Sequence, residues 1–362
     1  MKEAKEMEGE LKNFSRLCVL TMASLLYSYF IAAKIPKGLL RLISLLPVII
    51  LLSILPFDLN SFYIGLPARF FLAWLANFKL LLFAFDQGHL SLPKHDLLRF
   101  ILMACFPFKI RQNPPPETTR NITETPSEAK SNPILEAATR ATIVSIVLRT
   151  YENYKHCLNH KHVFLIYAFV TYHGTQLLFA LSAIPARLLL QGVELEPQFN
   201  APLFSTSLQD FWGHRWNLRV SDLLRETVYN PVRRVSTIII GPRWSSLPGV
   251  FVTFLVSGLM HELLVSRMFR QSPTWEMTWL FILHGGLVDV EIVLKKKLVA
   301  TNRFRLHRAI SGPLALANLS VTTSWLLYTK FLRIGMDDSS NSPWNFSRAW
   351  QQANTKPIAP LA

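Results

Sequence analysis

"FVTFLVSGLMHELLV", residues 251–265, is apolar almost throughout, until His261 and Glu262 stand side by side near its end. It belongs to a longer run, 247–265, of the length an α-helix needs to cross a bilayer core, about 20 residues. A charge at the centre of a span costs roughly 2.5–3.5 kcal/mol on insertion scales, so ionisable residues there are functional candidates. The run is therefore read as a membrane span and as a place for chemistry. Ser257 and Gly258, one turn before the histidine, are small enough to let a second helix approach closely.

Similar runs recur along the 362-residue chain. They lie at 17–33, 39–55, 62–85, 134–148, 163–190, 277–294 and 309–332, and with 247–265 they predict about eight spans. The expected fold is all-α: a polytopic transmembrane helical protein forming one membrane-embedded domain over 1–362. The length of the runs and their lack of strict alternation exclude a β-barrel. The stretch 97–108 is too short to span and reads as interfacial or re-entrant. Residues 111–133, rich in Pro, Thr, Ser and Asn, read as a disordered cytosolic linker. Residues 191–246 form a polar cytosolic insertion. Within it Val220, Leu223, Leu224 and Val228 have the spacing of an amphipathic surface helix, which Tyr229-Asn230-Pro231 is expected to end.

The net charge of +15 comes from 38 basic and 23 acidic side chains. On a soluble protein this would suggest nucleic acid, but here the positive-inside rule accounts for it and no nucleic-acid partner is expected. Alternate loops at 34–41, 86–133, 191–246 and 295–308 hold most of the basic residues, including Lys295–Lys297. They are expected to face the cytosol. No cleavable signal peptide is evident at the N-terminus. Cys18, Cys105 and Cys157 are isolated, giving neither a disulfide framework nor a zinc set. His156, Cys157, His160 and His162 share a short loop with two lysines and read as solvated. Arg69 and Lys79, inside the third run, are expected to snorkel.

Of the polar residues inside spans, His173 and Gln176 read as interhelical hydrogen-bond partners. His284, Asp289 and Glu291 fit a structural role or the lining of a wet cavity. His261 is the strongest candidate, because a neutral imidazole is tolerated in a span and exchanges protons readily. It does not open a zinc HExxH motif, since Val265 stands where the second histidine belongs. Forty-four residues upstream, "SLQDFWGHRWNL" (207–218) is too polar to span and too aromatic for a solvated loop. It supplies Gln209, Asp210, Arg215 and Asn217. There is no G-x-S-x-G elbow, phosphate loop or metal set. Direct transfer to an acceptor hydroxyl follows, with His261 as general base and Asn217 orienting it or holding the oxyanion. The alternative from a different class is a transporter or channel, whose pathways are also marked by polar residues at mid-span.

These stretches resemble the plant wax synthase-like branch of the membrane-bound O-acyltransferases. The resemblance is carried by "EPQFNAP" (196–202), "TSLQDFWGHRWN" (206–217), "VSGLMHEL" (256–263) and "WLANFKLLLFAFDQGHLS" (74–91). It implies acyl transfer from acyl-CoA to a lipid hydroxyl in a membrane chamber, with His261 as base and Asn217 as its second polar residue. The acceptor would be a long-chain alcohol, a sterol or a diacylglycerol. Gln209, Asp210, Trp212, Arg215, Trp216 and Glu262 are then expected to bind substrate at the cytosolic mouth, where basic residues suit the CoA phosphates. Acyl-CoA serves as co-substrate, with no cofactor, metal or protein partner, and the endoplasmic reticulum is the expected location. The family has arginine where this chain has His214.

Overall fold

The computed structural model describes residues 2–91, 96–111, 133–154, 157–190, 194–269, 271–300 and 307–328. The linker expected at 111–133 lies outside them except for its end residues, and so does His156. Among the described residues the architecture is helical, with a single isolated antiparallel bridge between Ile110 and Leu195. Six helices are long and apolar enough to cross a membrane: Met7–Lys34, Leu39–Asp58, Ile64–Ala84, His162–Leu189, Ser246–Met268 and Glu276–Leu298. The chain is a polytopic all-α membrane protein. Two of the eight expected runs are not among the six. The 134–148 run lies in a helix, Pro133–Tyr154, that carries Glu136, Arg140, Arg149 and Glu152. The run beginning at 309 folds as Arg308–Thr323 followed by a π turn, Ser324–Tyr328, and is interspersed with Ser, Thr and Asn.

The chain forms two compact units. The first comprises the described residues up to Cys105 and those from Phe199 onward. It contains α1 (Lys2–Phe30), α2 (Leu39–Ile54), α3 (Phe62–Ala68), a π segment (Arg69–Ala76), α4 (Asn77–Ala84) and α5 (Leu97–Cys105). The second unit, 106–198, holds α6 (Pro133–Tyr154) and α7 (His160–Leu189). There Gln176 accepts a hydrogen bond from Arg140 of α6, the interhelical role expected of it. α5 has nine residues, and Phe100, Leu102, Met103 and Ala104 are buried, as suits a short helix that packs rather than spans.

Arg69 and Lys79, expected to snorkel, both end on backbone carbonyls. Lys79 Nζ donates to the Met103 carbonyl of α5 at 2.6 Å, and buried Arg69 donates to the Leu59 carbonyl. Met103 lies in the last turn of α5, where carbonyls are left open and the helix dipole favours a cation.

From Phe199 the first unit continues with α8 (Leu208–Asp210), a π turn (Phe211–Arg215), α9 (Leu218–Leu224), a second π turn (Arg225–Tyr229) and α10 (Asn230–Ile240). Val220, Leu223 and Leu224 are buried, matching the apolar face read from the sequence. The helix does not end at Tyr229-Asn230-Pro231. Pro231 sits in the first turn of α10, where a missing N–H is tolerated, and the π turn carries the chain into it. α10 exposes apolar residues in its turn, Val235, Ile238 and Ile239.

α11 (Ser246–Met268) and α12 (Glu276–Ala300) pair extensively, and glycine sets their separation. A Cβ on Gly258 would lie 3.0 Å from the Cβ of Phe281 and from the Cα of Thr278. On Gly285 it would lie 2.8 Å from the Cβ of Phe254. The close approach read from Ser257-Gly258 is therefore real, and it brings α12 against the turn of α11 that bears His261. α13 (Arg308–Thr323) packs against the motif segment and reaches α12 directly, where Thr322 Oγ1 lies 2.8 Å from His284 Nε2.

Candidate active site

His261 is held on α11 by its own helix. Its Nδ1 lies 2.7 Å from the carbonyl oxygen of Ser257, one turn earlier. A carbonyl only accepts, so Nδ1 carries the proton and donates, which leaves the Nε2 lone pair as the basic position. The imidazole is fixed between two aromatic rings. Phe281 of α12 stacks on it at 4.5 Å between centroids, and Trp74, from the π segment, meets it edge to face at 5.0 Å. Trp74 is buried, and its indole N–H is also buried without an acceptor. Sequence reading missed both rings. Trp74 opens the stretch "WLANFKLLLFAFDQGHLS", which signalled it only as part of a resemblance, and nothing marked Phe281.

The motif segment lies farther along α12. Trp212 contacts Phe254, Phe281 and His284 at centroid distances of 5.8, 5.7 and 5.6 Å. Leu208, Val288 and Ile292 form the apolar cluster against which it packs. Gln209 accepts from Lys295 Nζ at 3.1 Å, and its backbone N–H donates to Glu291 at 3.2 Å. The structure thus brings His261, Phe281, Trp212, His284 and Gln209 into one line along α12.

The other expected substrate-binding residues are engaged in building the segment. Asp210 accepts from Arg215 Nε at 2.7 Å and from the Thr206 backbone N–H at 2.9 Å. Burial pushes its carboxyl up, but the Thr206 N–H and then the Arg215 guanidinium hold it below the usual carboxylate range, so the pair keeps both charges. The Asn200 N–H donates to the Arg215 carbonyl at 2.9 Å, tying "EPQFNAP" to the motif. Trp216 stacks on Phe211 and meets Phe199 edge to face. Glu262 is buried, and its two oxygens accept from the N–H groups of Thr274, Met277 and Thr278 at the start of α12. His214 is exposed.

Asn217 has a left-handed backbone, φ 44°, and caps α9: its side-chain oxygen accepts from the Val220 N–H at 3.4 Å. Asparagine tolerates that conformation and also fills that capping role. Among the described residues no hydrogen bond joins Asn217 to His261. Asn217→Asp keeps the cap and the backbone preference but removes the amide donor. If the amide works on substrate, Asn217→Asp should lower acyl transfer about tenfold or more while the melting temperature holds. Full activity in that variant would leave the residue a helix cap.

Comparison with known proteins fits this arrangement. The model of the "Membrane bound O-acyl transferase family" matches residues 195–283, the segment holding both the motif and His261. A long-chain-alcohol O-fatty-acyltransferase of Simmondsia chinensis is 42% identical, over 92% of this chain and 93% of that protein. The probable long-chain-alcohol O-fatty-acyltransferase 1 of Arabidopsis thaliana is also 42% identical, over 90% of this chain and 93% of its own. Acyl-CoA–sterol O-acyltransferase 1 of the same plant is 40% identical, over 89% and 91%. The likeness runs the length of the chain and sets the transporter alternative aside: the chain belongs to the membrane-bound O-acyltransferase family and is an acyltransferase of its plant wax synthase-like branch.

Proposed function

We propose that the protein transfers a fatty acyl group from acyl-CoA to the hydroxyl of a long-chain alcohol, with His261 as general base. One observation carries the mechanism: the Nδ1–H bond to Ser257 leaves Nε2 of His261 as a buried-site base held between two rings. The alcohol proton passes to Nε2 as its oxygen bonds to the thioester carbon. The tetrahedral adduct then expels the thiolate of CoA, breaking C–S, and the imidazolium returns the proton to sulfur. The products are an ester and CoA. A sterol acceptor is the second reading, supported by the sterol-acylating relative. The test is microsomal protein with labelled acyl-CoA and a panel of fatty alcohol, sterol and diacylglycerol. Ester of the fatty alcohol is the expected main product, and no ester with any acceptor sinks the reading.

The whole chain acts as one catalytic domain in this proposal, a reading that the relatives' length-wide match supports. In this proposal the membrane is that of the endoplasmic reticulum and the motif end of α12 faces the cytosol, because Lys295, Lys296 and Arg243 gather there. Arg234→Cys, at an exposed position of α10, should react with an impermeant maleimide in sealed microsomes of a cysteine-free background. Ser272→Cys, beyond the other end of α11, should react only after permeabilisation. The reverse pattern overturns the orientation.

A further inference from the structure

α10 carries two arginines and no acidic residue, and its Ile238 and Ile239 are 86% and 74% exposed. At about 3.6 residues per turn, Ile238, Val235 and Ile239 fall on one arc of the helix. Arg233, Thr237 and Arg234, all exposed, fall on the opposite arc. Ser236, which is buried, lies between the two and marks the flank packed against the bundle. A helix lying in a membrane surface has this division of faces. Its apolar side enters the acyl chains, its cationic side stays at the headgroups, and here one flank is left for the protein.

Both ends of α10 are held at the height of the first turn of α11. Tyr229, just before α10, packs so closely on Gly249 that a Cβ there would meet its ring at 2.8 Å. Three residues past the other end, the Arg243 carbonyl accepts from Lys296 Nζ, which also reaches Ser246 Oγ at 3.3 Å. Ser246 and Gly249 differ by about 4.5 Å along α11, whereas α10 is about 16 Å long. α10 therefore crosses the end of the span instead of running beside it. Trp244, with Arg243 and Lys296 over its ring at 5.2 and 5.3 Å, stands at the same height, as aromatic residues do at a membrane boundary. The charge here is also uncompensated. Nearby, Arg215 pairs with Asp210, Arg219 and Arg225 pair with Asp222, and Lys295 pairs with Glu291. Among the described residues Arg233, Arg234 and Arg243 have no carboxylate at ion-pair distance. Three such guanidiniums beside an exposed apolar arc complement a surface that offers anionic headgroups and acyl chains together.

We infer that α10 is an in-plane helix that docks on anionic phospholipid in the leaflet at the motif end of the bundle. Val235, Ile238 and Ile239 enter the acyl chains, and Arg233, Arg234 and Arg243 hold the headgroups. The π turn Arg225–Tyr229 joins α10 to α9, so docking ties the motif segment to the bilayer surface. This surface does not depend on the chemistry assigned to His261.

The experiment places the full chain, with its native cysteines replaced by serine, in nanodiscs of phosphatidylcholine with or without phosphatidylserine. Ile239→Cys and Thr237→Cys each carry a nitrobenzoxadiazole label. With phosphatidylserine present, the Ile239→Cys label should be quenched by doxyl groups on the acyl chains. The Thr237→Cys label should be quenched by aqueous cobalt instead. Omitting phosphatidylserine should lower the docked-to-undocked ratio, and so should Arg233→Gln with Arg234→Gln, by about fivefold for each arginine lost. Melting temperature should not change in the glutamine variant, since both side chains are exposed. Equal access of cobalt to both labels in either lipid overturns the inference. So does an Ile239→Cys label that sits in the acyl chains whatever the headgroup and whether or not the arginines are present. Inorganic phosphate that replaces phosphatidylserine would assign the arginines to a free anion, and a raised KM for acyl-CoA with docking unchanged would assign them to the donor's phosphates. An Ile239→Cys label shielded from both quenchers in a disc holding two chains would assign the apolar arc to a second copy. Each of these three results also overturns the lipid assignment.

Discussion

Replacing His261 with alanine is expected to lower ester formation by about two orders of magnitude or more, the contribution typical of a general base. The reason is the bond at Nδ1. With that nitrogen committed to the Ser257 carbonyl, the imidazole points a single unshared pair away from its own helix, and no other group in the cluster can take a proton there. Phe281 is inert, and an indole N–H only donates. Alanine also empties the space between Trp74 and Phe281, which by itself destabilises a packed site. His261→Asn separates the two effects. Its amide can still donate to the Ser257 carbonyl and fills part of the gap, yet it has no basic nitrogen. Equal loss of kcat in the alanine and asparagine variants, with the asparagine variant melting closer to wild type, is the expected pattern. An asparagine variant within a few-fold of wild type would rule out proton abstraction by this residue.

Much of this site can be read in the sequence because a bilayer imposes simple rules. An apolar run of span length has few alternatives to a helix, so His261 and Glu262 stand out, and Ser257-Gly258 foretells the close helix that arrives as α12. What the sequence does not show is where side chains go once helices pack. Nothing in the sequence pairs Lys79 with the Met103 carbonyl it reaches, because which carbonyls lie open is settled by tertiary structure. The continuation from α9 into α10 is hidden for a different reason. Pro231 looks like a terminator, but a π turn before it changes the register, and π turns have no residue signature comparable to a cap or a turn glycine. The same is true of the π segments that present Trp74 and Trp212. Asp210 and Arg215 have the chemistry of substrate contacts, yet their first partners are each other and the backbone of their own segment. Asn217 is where sequence and structure meet most narrowly, since one side chain serves the cap while the family resemblance asks it to serve the substrate.

Glu262→Ala is expected to have the second large effect, on folding more than on substrate affinity. The carboxylate is 2% exposed and accepts from three backbone N–H groups, those of Thr274 and Met277 at 3.0 Å and Thr278 at 3.3 Å. These are donors at and just before the first turn of α12, where a helix has no internal acceptors and its dipole favours a negative charge. Removing the acceptor strands them in the bundle. Leaving a buried donor without its acceptor costs about 1–3 kcal/mol, and three are exposed to that loss here, a large share of the roughly 5–15 kcal/mol typical of a folded domain. The site should suffer with it, because α12 carries Phe281 and His284, and its placement against α11 depends on this tie and on Gly258. Glu262→Gln keeps one accepting oxygen but turns an N–H₂ towards backbone donors, so it should fall between wild type and alanine. Thermal melting in detergent, measured beside steady-state kinetics, separates this role from substrate binding. If Glu262 were a substrate ligand, Glu262→Ala would melt like wild type and show a raised KM. The hydrogen-bond set predicts a lowered melting temperature and less extractable folded protein, with a KM near normal in whatever fraction folds.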